Sequence, residues 1–288
     1  MTDIIDIHTH VISPDTARYP LAPLGGKQSD WSHARPTTAA DLIAAMDEAG
    51  VAKAAVVQAS TAYGFDNSYL ADSVAAHPNR FTGVFSMDLF APDAPAVFDR
   101  WVAKGLTGLR LFTTGTTQPG QAGWLADPRS FPIWERAEAA NLPVCVQMRP
   151  EGVDQLALLL DRFRRVPVVL DHLARVDLSD GAPYEKADWL WRLADRPNVV
   201  LKLTSRTVRE AAAGASRPEA FFPRLVAAFG AERIAWGSNF PAEAGPMSRI
   251  LDAARAALSC LSAADRASIF AGTARRLYPA LAAEPVTA

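Results

Sequence analysis

The strongest constraint on this chain is a regular alternation of short apolar segments with amphipathic ones, sustained from end to end. The strand-like segments are predicted at Ile4–His8, Ala54–Ala59, Thr82–Met87, Thr107–Phe112, Val144–Met148, Val168–His172, Val199–Thr204 and Ile234–Gly237. Most are β-branched or Leu-rich and bounded by turn residues, as strands buried on both faces must be. Helical spacing is predicted between them, over Ala39–Gly50, Asn67–His77, Ala94–Lys104, Phe131–Asn141, Val153–Phe163, Lys186–Ala194, Glu219–Phe229 and Pro246–Leu258. A last helix is expected over Ala263–Tyr278, with Ile269, Phe270, Ala274 and Leu277 on one face. Eight strand–helix units in 288 residues fit a single (β/α)8 barrel domain, distorted by long connections, over 1–288. The competing arrangement is an open doubly wound sheet. No Gly-x-Gly-x-x-Gly follows the first strand, which weighs against that nucleotide-binding alternative.

In such a barrel, chemistry sits at the carboxyl ends of the strands. Three strand-to-helix connections are long: Val11–Pro36 after the first strand, Thr113–Ser130 after the fourth and Arg206–Pro218 after the seventh. They exceed the usual span of about 2–6 residues and read as lids or substrate walls. A net charge of −2 gives no reason to expect nucleic acid or an anionic membrane as partner. The two cysteines, Cys145 and Cys260, form no metal or redox motif. There is no apolar run of about 18 residues. The acidic start Met1–Asp6 lacks a signal-peptide pattern, so a cytoplasmic enzyme is expected.

Histidine is scarce, with five in the chain. The first strand ends Asp6-Ile7-His8-Thr9-His10, and strand alternation puts Asp6, His8 and His10 on one face, with Ile5 and Ile7 toward the helices. His172 closes the sixth strand, and the eighth runs into Ser238-Asn239 at the same end of the barrel. Three histidines there can hold one metal ion or polarise one substrate oxygen. Asp171, by alternation, points to the opposite face and reads as a structural partner, while Asp6 reads as a partner that orients His8. His33 and His77 read as loop and surface residues.

The first-strand His-x-His, the segments VVLDHLAR, VVLKLTS and AFGAERIAWGSNFP, and the helix IFAGTARRLY together resemble the amidohydrolase superfamily, in its amidohydrolase 2 branch. VVQASTAYGFDN and GLRLF are similar to its lactonase subgroup, which includes 2-pyrone-4,6-dicarboxylate hydrolases and sugar-acid lactonases. The resemblance implies a barrel hydrolase that opens a cyclic ester by water attack, with His8, His10, His172 and the residue at 239 as catalytic groups. That residue is an aspartate in the family pattern and takes the proton from water. This chain has Asn239, and an amide cannot act as a base. Three readings stand: a deliberate Asp-to-Asn replacement that impairs catalysis, a natural subgroup with another base, or a binder without activity. His172 is then the first candidate base, with Glu243 within reach on the loop.

No lysine ends the fourth or fifth strand, so a two-metal centre is not expected. The cofactor expectation is therefore none, or one divalent cation, Zn²⁺ foremost, on His8, His10 and His172. Arg110, Arg149, Arg175, Lys202 and Arg206 gather at strand ends, a basic mouth suited to a small anionic, carboxylated substrate. Gln147, Tyr63 and Ser60 are candidate hydrogen-bonding contacts, although Lys202 has the alternative of an ion pair inside the barrel. Gln147 stands where the 2-pyrone hydrolases carry a tyrosine, which turns the expectation toward sugar-acid lactones. Metal-dependent decarboxylation of an aromatic or enol acid is the competing activity.

Overall fold

The computed structural model describes residues 3–115 and 117–282. Met1, Thr2, Thr116 and residues 283–288, and with them part of the signal-peptide and domain-boundary expectations, lie outside the described residues. Eight parallel strands run in sequence order: β1 Ile4–Thr9, β2 Val51–Val57, β3 Phe81–Phe85, β4 Leu106–Phe112, β5 Val144–Gln147, β6 Val168–Leu170, β7 Val199–Leu203 and β8 Ile234–Trp236. The fold is the expected (β/α)8 barrel. Its seam between β1 and β8 is closed by a Thr9–Phe240 bridge. Two backbone bonds flank it, His10 N–H to Phe240 O at 2.9 Å and Asn239 N–H to His8 O at 2.8 Å.

Burial follows the pattern that the sequence dictates. Leu42 and Met46 of the Ala39–Ala49 helix pack in the core with Val56, Leu109, Leu170 and Leu201. A smaller cluster inside the barrel joins Ile5, Ile7, Val57, Cys145, Val169 and Ala235 to Ala271, Ala274 and Tyr278 of the last helical segment. Ile5 and Ile7 thus face inward, not toward the outer helices, and a register shift between Asp6 and Thr9 breaks the alternation expected to align Asp6 with His8 and His10. At Gly237 the approach of β8 to β1 forbids a side chain: a Cβ there would lie 2.6 Å from that of His8.

Two helices differ from expectation. Lys186–Ala194 is reduced to a 3₁₀ turn, Glu185–Ala187, and the four-residue helix Asp188–Trp191. The terminal helix is interrupted by a π turn at Ser268–Gly272, which keeps Ile269 and Phe270 buried while re-aiming Thr273–Leu277.

The sixth strand is the difference that matters for the site. It stops at Leu170, and His172 to Arg175 adopt positive φ values of 46–59°. The expected facing of this strand is inverted: Val169 packs in the inner cluster with Cys145 and Ala235 while Val168 and Leu170 face the helices. Asp171 therefore continues the inner face, and His172 reaches the cavity only through the left-handed turn. Asp171 is fully buried and bonded to cations of β4 and β7, not to a helix or backbone group on the outer face.

Candidate active site

β1 delivers His8, the residue just past its end is His10, and the left-handed turn after β6 delivers His172. The His8 ring lies 4.9 Å from His10 and 4.8 Å from His172, centroid to centroid and edge-on to each. They open into a cavity of about 240 Å³ at the carboxyl ends of the strands. Asn239, Arg110, Arg175, Arg206, Gln147 and Ser60 line it with the three histidines. Two of the expected substrate contacts lie elsewhere. Tyr63 is buried outside the cavity wall, its hydroxyl accepting from Ser13 N–H at 2.7 Å. Lys202 sits fully buried beneath the cavity, where the ion pair weighed as its alternative is formed.

That ion pair is part of a buried charged core. Asp171 accepts from Arg110 Nε at 2.6 Å through one carboxylate oxygen and lies 2.6 Å from Lys202 Nζ through the other. Although burial opposes its charge, Lys202 and Arg110 hold its carboxyl well below the usual range. Lys202 Nζ also reaches His8 Nδ1 at 3.1 Å and Cys145 Sγ at 3.6 Å. Two cations thus share one anion, and Arg175 and Arg206 add charge at the mouth. Burial, then repulsion from Arg206, Arg149 and Arg110, pushes the Arg175 guanidinium down. The field in the cavity is positive and suits an anionic ligand.

All three histidines are neutral near pH 7. Burial pushes His10 and His172 down to about 3, with Arg110 adding to the effect in both. It pushes His8 well below its ordinary value too, with Lys202 next in importance. Their outer nitrogens then differ in character. His10 Nδ1 faces the Val57 carbonyl at 2.8 Å, so it donates, and Nε2 carries the lone pair. His8 Nδ1 faces an ammonium, so it accepts, and the proton sits on Nε2, which has no partner among the described residues. His172 Nδ1 meets the Thr204 hydroxyl at 2.8 Å, which can donate or accept.

This donor set fits a metal ion poorly. His8, Asp171 and His172 do offer ligand atoms within 4.8 Å of one another. Asp171, however, is engaged by two cations, and His8 Nε2 carries a hydrogen. His10 and His172 remain, short of the three protein ligands of a catalytic zinc site.

Asp6 does not orient the His8 ring. Its Oδ1 accepts the backbone N–H groups of His8 at 2.8 Å and Ser238 at 2.9 Å, and it stitches β1 to the end of β8. Burial raises its carboxyl to about 6. Glu243 is held by Ser205 Oγ and Arg209 Nη1, each at 2.6 Å, and does not line the cavity. Arg149 donates to Thr114 Oγ1 at 3.0 Å and is not among the lining residues. His33 is exposed, and His77 is a helix C-cap packed on Phe81.

Sequence reasoning missed Trp31, Gln58, Thr61, Phe112 and Thr117 as cavity-lining residues. Trp31 stacks on His10 at 5.1 Å from the Val11–Pro36 connection. A lone tryptophan in a long loop over the barrel mouth was the available signal. Arg35 fixes that loop by donating to the carbonyls of Pro241 at 2.9 Å and Ala242 at 3.0 Å.

Fold and histidine cluster together define a barrel hydrolase class, and a family model described as amidohydrolase matches residues 5–280. The chain belongs to that amidohydrolase family. It is 28% identical to an L-fucono-1,5-lactonase of Burkholderia ambifaria over 204 residues, 70% of this chain and 69% of that one. It is 25% identical to a 4-sulfomuconolactone hydrolase of Rhizobium radiobacter over 249 residues, 82% and 75% of the two chains. Among solved structures, a Pseudomonas putida protein assigned as a 2-pyrone-4,6-dicarboxylic acid hydrolase superposes with a TM-score of 0.77 at 22% identity, covering 97% and 98% of the chains. A Burkholderia multivorans amidohydrolase with bound zinc gives 0.76 at 22%, over 96% and 99%. No helix among the described residues is long and apolar enough to cross a membrane.

Proposed function

We propose that this protein is a lactonase that opens a cyclic ester of a small carboxylated acid with its own histidines and without a metal ion. The observation that carries the reading is the opposite polarity of two adjacent imidazoles. His8 presents Nε2–H and His10 presents an Nε2 lone pair, with ring centroids 4.9 Å apart. One donates to an oxygen that becomes negative while the other accepts the proton of the attacking water.

The steps balance. Water adds to the lactone carbonyl as His10 Nε2 takes its proton. His8 Nε2–H stabilises the oxyanion, a contact worth ~3 kcal/mol in comparable sites. The ring C–O bond then breaks, and the leaving oxygen recovers the proton from His10. His10 is a weak base in the empty cavity because burial and Arg110 oppose its charged form. An anionic substrate beside it offsets that guanidinium and raises its basicity. Asn239, which cannot be the base, orients the water through its amide. Arg175 and Arg206 hold the carboxylate, with Gln147 and Ser60 toward the ring substituents. Both relatives are named for lactone hydrolysis, which supports the cyclic ester, while the carboxylate is inferred from the arginines of the cavity.

The test is turnover of a lactone panel: neutral and carboxylated sugar-acid lactones and carboxylated muconolactones, followed by acid release. The reading expects hydrolysis of a carboxylated member and its loss in His10→Asn. Absence of turnover across the panel, or release of carbon dioxide from an aromatic acid instead, overturns it.

A further inference from the structure

We infer that Lys202 is a positioning residue whose ammonium locks His8 in the Nε2–H tautomer, which makes His8 a donor to substrate and closes the histidine cluster to divalent cations. The inference rests on the hydrolytic reading only for its catalytic consequence. The tautomer and the ion exclusion follow from contacts that exist whatever the substrate.

Lys202 projects from β7, one residue before its carboxyl end, with no exposed surface. Three acceptors surround its nitrogen: Asp171 Oδ1 at 2.6 Å, His8 Nδ1 at 3.1 Å and Cys145 Sγ at 3.6 Å. An ammonium has three hydrogens and no lone pair, so toward each of these atoms it can only present positive charge or donate. The carboxylate fixes the amine as charged, since a neutral amine would leave Asp171 short of a partner in a buried site. His8 Nδ1 therefore accepts, and a neutral imidazole has one N–H left to place, at Nε2. That atom is buried, unpartnered among the described residues and on a ring that lines the cavity.

Two consequences follow. The positive charge behind the ring draws electron density from it and strengthens the Nε2–H as a donor to a developing oxyanion. A divalent cation, in contrast, needs a lone pair at Nε2 and would stand close to a fixed ammonium. Lys202 thus supplies the positive charge that a metal ion would otherwise supply, but through an N–H. The same lysine also engages Asp171, the carboxylate grouped with His8 and His172, and so removes a second ligand.

The experiment uses ¹⁵N-histidine-labelled full-length protein and Co²⁺ as the metal probe. Long-range ¹H–¹⁵N imidazole spectra, with His8 assigned by its loss in His8→Gln, report which nitrogen carries the proton. Wild type is expected to show Nε2–H and no cobalt absorption band. Lys202→Met is expected to lose the fixed tautomer and to bind Co²⁺ about tenfold or more tightly than wild type, with a four-coordinate visible band. Lys202→Arg, which keeps the charge and donors, is expected to restore the wild-type tautomer and exclusion. The Lys202→Met/Asp171→Asn pair repeats the cobalt titration with that ion pair removed as a unit, should the single variant not fold. A wild-type His8 protonated at Nδ1, or a folded Lys202→Met or Lys202→Met/Asp171→Asn variant that binds Co²⁺ no more tightly than wild type, overturns the inference. Failure of the lactonase reading would leave both readouts unchanged, so the two are separable.

Discussion

Replacing Asp171 by Asn removes the one anion that two buried cations share. Arg110 Nε and Lys202 Nζ each lie 2.6 Å from its carboxylate, and Lys202 has no exposed surface. An asparagine fills the same volume and keeps one acceptor, so packing is preserved and the change is electrostatic. Breaking a buried pair from one side costs about 3–5 kcal/mol because a desolvated charge is left without a partner. Arg110 lines the cavity and regains some hydration, whereas Lys202 cannot, and this keeps the cost within that range. For a chain of 288 residues, that corresponds to a fall in Tm of about 5–8 °C. Urea unfolding followed by circular dichroism, read alongside calorimetry, measures it. The exposed Asp127–Arg129 pair is the control, and Asp127→Asn is expected to leave Tm unchanged. A loss below about 1 kcal/mol for Asp171→Asn would refute the reasoning, since two unpaired buried cations cannot be that cheap.

Acid should unfold the protein early. His10 and His172 are held down to about 3, against 6.5 for the free side chain. Between those values the unfolded chain binds more protons, so stability falls as pH drops, by on the order of 1–3 kcal/mol per unit for the two groups. Asp6, raised from 3.8 to about 6, works in the opposite sense and softens the slope within that window. A urea midpoint that stays flat from neutral pH into this window would contradict the assignment. Arg175→Met should lower kcat/KM for a carboxylated lactone by about 10–100-fold and leave a neutral lactone nearly unaffected, the cost of one charge-assisted contact. Steady-state kinetics on the matched pair of substrates decides it. Trp31→Ala, which removes the ring stacked on His10, should lower kcat more than it raises KM, with Tm as the check on folding.

The barrel was legible because its signal is repeated eight times, and each strand had only to be apolar and bounded by turn residues. The His8–His10 pair was legible from its place at the end of the first strand, although a register shift between Asp6 and Thr9, and not simple alternation, turns His8 inward. Asp171 was not, because every residue of β6 is apolar and the pattern does not say which face turns inward; Val169 does, and Asp171 follows it. β6 stops at Leu170, and four left-handed residues then bring His172 to the cavity while Asp171 pairs beneath it. Lys202 lay between the two cases. A lysine inside a strand buried on both faces must find an anion, and the ion-pair alternative already followed from that. Which anion it finds depends on β6, three-dimensionally adjacent but distant in sequence. Trp31 reaches the site from a connection whose course no local pattern encodes, held there by the contacts of Arg35 with the loop after β8.

Metal independence is the point on which the functional account turns. Its most direct measurement is the turnover of a carboxylated lactone before and after exhaustive dialysis against a chelator, with metal content determined by mass spectrometry on the same samples. The account predicts an unchanged rate with no stoichiometric metal in either sample. A rate that disappears with the metal and returns on adding Zn²⁺ would contradict it.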